Sequence, residues 1–283
     1  YVVSANQTIT SKRARIRSAT PGTYAEIRNT NATTGFIDFQ DSEIILKDIH
    51  FAYQATAEDV TRFTGGSFHV ISSKFSGDLD SETDGVIIYA GAGESVEFVG
   101  FDSIYEAAST VTGGGGDNVD IHADAAADLA NSAVVLVGGS GANSGPDTND
   151  QIVTTHDGIH LDVFGGTYDN ANPSAGTVFG NGVGTYTRLY GVKVDQPGIN
   201  YATLDEVDLI FGCELDIDSI TDTKSVIGTR WLSDGNSLLE DVHIIGSQVD
   251  GKGVAPYVSL DGTLDVVMGS YFHNFDTSGT ANI

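Results

Sequence analysis

The chain has 283 residues and a net charge of −26, with 39 Asp and Glu against 13 Lys and Arg. Such acidity repels nucleic acid and anionic membrane surfaces, and a single Cys excludes an intrachain disulfide framework. A hydrophobic fraction of 40%, with 13 Phe and 11 Tyr, excludes simple disorder, and no apolar run approaches the roughly 18 residues of a membrane-spanning helix.

The chain opens Tyr1-Val2-Val3 with no charged or apolar leader, as a processed chain or an excised piece would. Residues 1–41 read as irregular short strands. Arg13, Arg15 and Arg17 alternate with Ala14 and Ile16, which puts the three cations on one strand face. This lone basic cluster is expected to pair with nearby carboxylates or a neighbouring subunit, or to take an anionic sugar. From residue 42 short apolar runs recur: Ile44-Ile45-Leu46 leads to Phe51, Val70-Ile71 leads to Phe75, and Val96-Glu97-Phe98 follows. Polar loops are predicted at 54–64 and 77–84. Residues 107–156 depart from the pattern. They hold the Gly113-Gly114-Gly115-Gly116 run, a predicted short helix over 123–130, a buried strand at 134–137 and a polar stretch over 140–150. This region reads as one loop-rich coil within a single domain spanning 1–283; a boundary between two stacked parts is the alternative.

From residue 157 five segments share one skeleton, in which two large apolar residues precede a Gly and another follows three places on. They are centred on Gly165, Gly191, Gly212, Gly246 and Gly269, at intervals of 26, 21, 34 and 23. Self-similarity of this kind marks a repeat architecture. Gly accepts a sharp bend because it lacks a Cβ. One unit cannot bury its apolar residues alone, so units are expected to stack in three columns. The first is Val163, Leu189, Ile210, Ile244 and Val267. The second is Phe164, Tyr190, Phe211, Ile245 and Met268. The third is Tyr168, Val194, Leu215, Val249 and Phe272. The runs are too short, β-branched and aromatic for a helical solenoid. The pattern resembles the right-handed parallel β-helix of the pectate-lyase-like superfamily. That resemblance implies an all-β solenoid of about ten or eleven coils with loop insertions, roughly 50 Å long. It says little of function, because the superfamily includes lyases, hydrolases, adhesins and phage tailspikes. The tail over 276–283 has little apolar content, so more chain or another subunit is expected to cap that end.

Chemistry is carried by few positions. The segment His156-Asp157-Gly158-Ile159-His160-Leu161-Asp162 resembles the Asn-Thr-Asp-Gly segment of polygalacturonase-type glycosidases, which supplies a catalytic Asp. On a strand Ile159, Leu161 and Val163 face inward, and His160 and Asp162 outward. Here Thr155-His156 replaces the Asn of that segment, and no Asp-Asp, His-Gly or Arg-x-Lys motif follows. Asp157, Asp162 and Asp195 are the catalytic candidates, as an acid/base pair across a sugar bond. Asp-Gly also recurs at Asp84-Gly85, Asp250-Gly251 and Asp261-Gly262, which reads as turn chemistry. Alternate residues on a strand are about 7 Å apart, so one metal ion does not easily hold His156, His160 and Asp162 together. Arg188 falls one coil beyond Asp162, and Glu214 one coil beyond Lys193, so cross-coil ion pairs are expected. Arg230 and Trp231, read as part of a long loop before Asp234, are candidates for sugar stacking, with His160 as a further glycan contact. Cys213 reads as a packed thiol. The sequons at Asn6 and Asn31 are near chance in so Thr-rich a chain. No phosphate loop, zinc spacing, nucleophile elbow or dinucleotide fingerprint occurs. No cofactor is expected beyond hydrated cations, with Ca²⁺ the one the resemblance to calcium pectate lyases would add.

The acidity resembles that of proteins from extreme halophiles. With the rigid coil and the absence of a coherent site, it points to a structural or adhesive β-helix on an outer surface. Such a chain would belong to a viral tail fibre, spike or capsid decoration, or to a cell-surface protein. The resemblance to tailspikes implies a homotrimer that binds surface glycan or glycoprotein through loops on one side. The alternative is a polysaccharide lyase or glycoside hydrolase acting on an acidic polysaccharide.

Overall fold

The computed structural model describes residues 2–3, 7–29, 37–55, 61–79, 85–109, 118–143, 153–155, 158–170, 176–181, 186–195, 202–205, 207–217, 219–221, 223–233, 238–240, 243–251, 258–261, 267–273 and 275–276. Within them the chain is an all-β parallel β-helix. Each coil lays down three strands in sequence, one on each of three faces. In the seventh coil these are Gly176–Asn181, Tyr186–Tyr190 and Lys193–Asp195. Each pairs in parallel with its counterparts one coil before and one coil after. The third-face ladder has 12 strands. The first, Val2–Val3, precedes eleven complete coils, in line with the ten or eleven expected. In the second and third coils, single 11-residue strands, Ile37–Lys47 and Thr61–Ile71, run across faces one and two without a break. No helix among the described residues is long and apolar enough to cross a membrane.

Alternation along each strand decides what is buried. Val163, Leu189, Ile210 and Ile244 are all buried on the inner side of face two. Ile210 lies against Val226, and Val226 against Ile244. The 34-residue interval therefore hides an extra coil, whose corner is Gly228. The third column is also interior, and Trp231 sits in it between Leu215 and Val249. The second column is not. A residue next to an inward side chain must point outward, so Phe164, Phe211 and Met268 are 42%, 50% and 61% exposed. In coils three to eleven this outward position reads Ile71, Phe101, Val137, Phe164, Tyr190, Phe211, Ile227, Ile245 and Met268. The expectation that stacking buries all three columns thus fails for one of them.

The corner between faces two and three repeats in every coil from the second to the eleventh. One residue there takes a left-handed conformation, with φ from 46° to 67°: Asp48, Ser72 and Asp102, then Gly from 138 onward. Gly is expected at such a bend; Asp and Ser tolerate it through short polar side chains. The next residue in the chain points inward and, apart from Ile49 and Val192, is small or polar. Ser73, Ser103, Thr229, Ser247 and Ser270 each accept a hydrogen bond from the backbone N–H one coil earlier. Buried backbone groups that a turn would orphan are satisfied in this way.

The core is aromatic in the early coils, where Phe51, Phe75 and Tyr105 stack at 4.9 and 5.5 Å, and mainly aliphatic later. The predicted helix over 123–130 is instead a run of bends with one short 3-10 turn at Leu129–Asn131, since Asp128 and Ser132 bracket it with non-helical backbone. In the irregular region, Val119–Ala123, Ala133–Val137 and Ser140–Asn143 pair with coils on both sides. Residues 110–117 and 144–152 fall outside the described set. The loops predicted at 54–64 and 77–84 are partly strand, because Ile49–Ala55, Thr61–Ile71 and Lys74–Leu79 extend into them.

Candidate functional site

The outward side of face one in coils two to five forms a groove of about 490 Å³. Register builds it from two columns. Asp38, Arg62, Ile87 and Asp120 form one; Gln40, Thr64, Tyr89 and His122 form the other. Side chains two apart on a strand share a side, so each coil contributes one residue to each column. The groove is lined by members of both columns together with Ala123 and Asp124.

Asp38 is buried and its carboxylate is held from two sides. Gln40 Nε2 donates to Oδ2 at 2.6 Å, and Thr64 Oγ1 donates to Oδ1 at 2.9 Å. His122 Nδ1 lies 2.7 Å from Asp120 Oδ2, which fixes the imidazole plane. The Tyr89 ring sits 4.7 Å from the His122 ring. The Tyr89 hydroxyl has its pKa raised, first by its hydrogen bond to Asp124 and then by burial. It therefore stays a neutral donor at ordinary pH. The result is an apolar strip of Ile87, Tyr89 and Ala123 between a guanidinium, an imidazole, an amide and carboxylates. A small set of convergent polar groups around an aromatic and aliphatic floor is the usual composition of a small-ligand or sugar site.

Those candidates named from sequence that fall among the described residues lie elsewhere and do not converge. Asp157 lies outside the described residues. Ile159, Leu161 and Val163 are buried, and His160 and Asp162 point outward, as the strand period requires. Asp162 is engaged by Arg188 in a two-pronged pair at 2.6 and 2.7 Å. Asp195 lies on face three, paired with Lys193 at 2.7 Å. Asp162 and Asp195 therefore belong to different faces, and each neutralises a cation. Lys193 and Glu214 are register partners, yet Glu214 makes its close contact with Arg230 at 3.5 Å. His160 stacks on Tyr186 at 4.7 Å on face two.

Trp231 is a correction. It is on strand Arg230–Ser233, not in a loop, and is only 1% exposed. Its indole Nε1 donates to the Ile217 carbonyl at 2.8 Å, so neither ring face is open to a sugar; Arg230 beside it remains exposed. Asp250-Gly251, read as a turn, is also strand, and Asp250 meets His273 one coil on at 2.8 Å. Cys213 is buried as expected, with its thiol pKa raised by burial. On face three Asp169 has its pKa raised, first by burial and then by Asp195. No cluster of three or more His, Cys, Asp or Glu suited to a metal ion occurs among the described residues.

In comparisons with known proteins, no family model, no curated protein and no solved structure matches the chain. The class is therefore set by the fold alone: a parallel β-helix with a polar, aromatic-floored groove on its first face.

Proposed function

We propose that this chain is a structural, adhesive β-helix of an outer surface, of the tailspike or surface-appendage type within the pectate-lyase-like resemblance, working in a saline setting and gripping a surface glycan through the first-face groove. The single observation behind it is the groove itself. Its donors and acceptors stand on rigid ladders rather than loops, so they are ordered before a ligand arrives, which lowers the entropic cost of binding. Arg62 supplies the charge an anionic sugar needs, and Tyr89 supplies an apolar surface for a pyranose ring. The test is a titration with acidic and neutral polysaccharide fragments at high salt. Tyr89→Ala and Arg62→Ala should each weaken binding at least tenfold. Equal binding by wild type and both variants, or no binding at all, refutes the groove as the site.

A second activity has one observation in its favour. His122, oriented by Asp120 and beside Tyr89, is placed as a proton-transfer group would be. The chain would then be a polysaccharide lyase or hydrolase, centred on this groove and not on Asp157, Asp162 or Asp195. The neutral Tyr89 hydroxyl favours binding over proton abstraction by that residue. Time-dependent release of unsaturated or reducing sugar ends, abolished in His122→Asn, would establish the enzyme.

A further inference from the structure

Six of the eight large apolar side chains that stand exposed among the described residues lie on or beside the outward side of face two. They are Phe101, Phe164, Tyr186, Phe211, Met268 and, across the corner, Tyr271. They are not scattered, because the column from Ile71 to Met268 is apolar in nine successive coils. At about 4.8 Å per coil it runs roughly 38 Å along the long axis. The neighbouring outward column adds Val99, Val135 and Leu209. In coils three to eleven the described positions of these two columns hold only two Asp, Glu, Lys or Arg residues, Asp162 and Arg188, and those neutralise each other. A molecule of charge −26 thus keeps two adjoining columns of its second face free of net charge over nine coils. Contiguous apolar area of this extent marks a contact surface.

We propose that this face is where copies of the chain pack side by side. Three observations select a second copy as the occupant. The first is charge. At the same face in the first two coils, the columns end in Arg15, Arg17 and Lys47. An approaching partner as acidic as the chain itself is drawn to that end and meets no carboxylate excess along the rest. The second is periodicity. Ridges repeating once per coil over nine coils mesh best with ridges of equal spacing, which another parallel β-helix supplies. The third is area. The two columns, about 14 Å wide, cover on the order of 530 Å², so two copies would bury about 1,000 Å² in all, the lower range for a specific interface.

Other occupants fit less well. Sugars stack on ring faces, but Phe164 and Tyr190 lie face to face at 4.7 Å and 7°, offering only their edges. An anionic membrane would repel the molecule as a whole. The inference goes beyond glycan binding and does not depend on it, because the groove lies on face one.

The test is sedimentation velocity of the intact chain, from low micromolar to roughly 100 μM, in buffers of low salt and about 2 M NaCl. Wild type should self-associate, more strongly at high salt, where the −26 charges are screened; the mass gives the number of copies. Phe164→Asp combined with Phe211→Asp should weaken association about 100-fold or more, with circular dichroism unchanged. Tyr89→Ala, in the groove, should leave association intact while losing glycan. As a second measure that needs no charge insertion, Phe211→Cys should form an intermolecular disulfide on mild oxidation, Cys213 being buried. A monomer at every concentration and salt overturns the proposal. So does an oligomer that the double substitution fails to dissociate and that Phe211→Cys fails to cross-link.

Discussion

Two glycines in adjoining positions of the same kind of corner should respond very differently to one added methyl group. At Gly191, φ is 61° and an ideal Cβ would meet nothing within 4 Å. Only the left-handed backbone opposes a side chain there, at about 1–2 kcal/mol. The same corner in earlier coils carries Asp48, Ser72 and Asp102, so the turn itself tolerates L residues. Gly139 follows the corner glycine in its coil. Its φ is 74°, and a Cβ would lie 2.1 Å from the Ser103 carbonyl oxygen and 2.8 Å from the Ser103 nitrogen. That contact is with the backbone of the coil before, which cannot rotate away. Gly139→Ala should cost more than about 3 kcal/mol, since the ladder itself must shift. At this chain length each kcal/mol moves the melting temperature by about 2 °C. Thermal unfolding in molar salt should show Gly191→Ala a few degrees below wild type, Gly191→Asn with a smaller loss still, and Gly139→Ala well beyond either. Equal losses at 191 and 139 would mean that conformation alone, and not the close approach of successive coils, makes these positions glycine.

Other expectations are simpler to state. Trp231→Phe should lose about 1–2 kcal/mol by leaving the Ile217 carbonyl without its indole donor, and Trp231→Ala about 3–5 kcal/mol. Because it is the sole Trp, native fluorescence should be blue-shifted and indifferent to added sugar; quenching by iodide would contradict its burial. Asp169→Asn should raise the melting temperature at neutral pH. The folded-state pKa of Asp169 is raised, so its ionised form opposes folding above that value, and the opposition disappears as pH falls through the folded pKa toward the ordinary 3.8. The advantage of the variant should therefore shrink on acidification; a constant difference across pH would assign it to packing. Cys213 should resist a thiol reagent at mildly alkaline pH until the chain is unfolded, because burial keeps it as the thiol. Circular dichroism should decay on dilution below about molar salt as repulsion among carboxylates is unscreened, and an unchanged spectrum would remove the halophilic setting.

The repeat was legible where the corner residue is Gly and the flanking residues are large. It was harder to see in coils two to four, because Asp48, Ser72 and Asp102 fill the corner and nothing in the sequence announces their left-handed backbone. The ninth coil was legible in principle. Val226-Ile227-Gly228-Thr229-Arg230-Trp231 fits the same skeleton, with Trp231 in the column of Leu215 and Val249. Taking residues 213–245 as one unit with a long loop put Trp231 on the surface. The small polar spine could also have been found, since Ser or Thr follows the corner at 73, 103, 229, 247 and 270. The groove was less accessible. Gln40, Thr64, Tyr89 and His122 stand 24, 25 and 33 positions apart, and such uneven coils defeat a fixed-period search. Only the pairing register brings those four into one column. The Asp157 to Asp162 motif was conspicuous in sequence because it is contiguous. Surface sites on a solenoid are assembled across coils, so contiguity is a poor guide to them.

Gly228 and Gly246 are 18 positions apart, which leaves little beyond the three strands and their corners. A winding that short shows how small one storey of this tower is. Adding or deleting one leaves every other junction unchanged, since each storey touches only those directly above and below. The reach of the rod is therefore adjustable in whole steps of about 4.8 Å, while anything mounted on its sides keeps its local geometry. Evolution or an engineer could lengthen the shaft without redesigning the coils on either side of the addition.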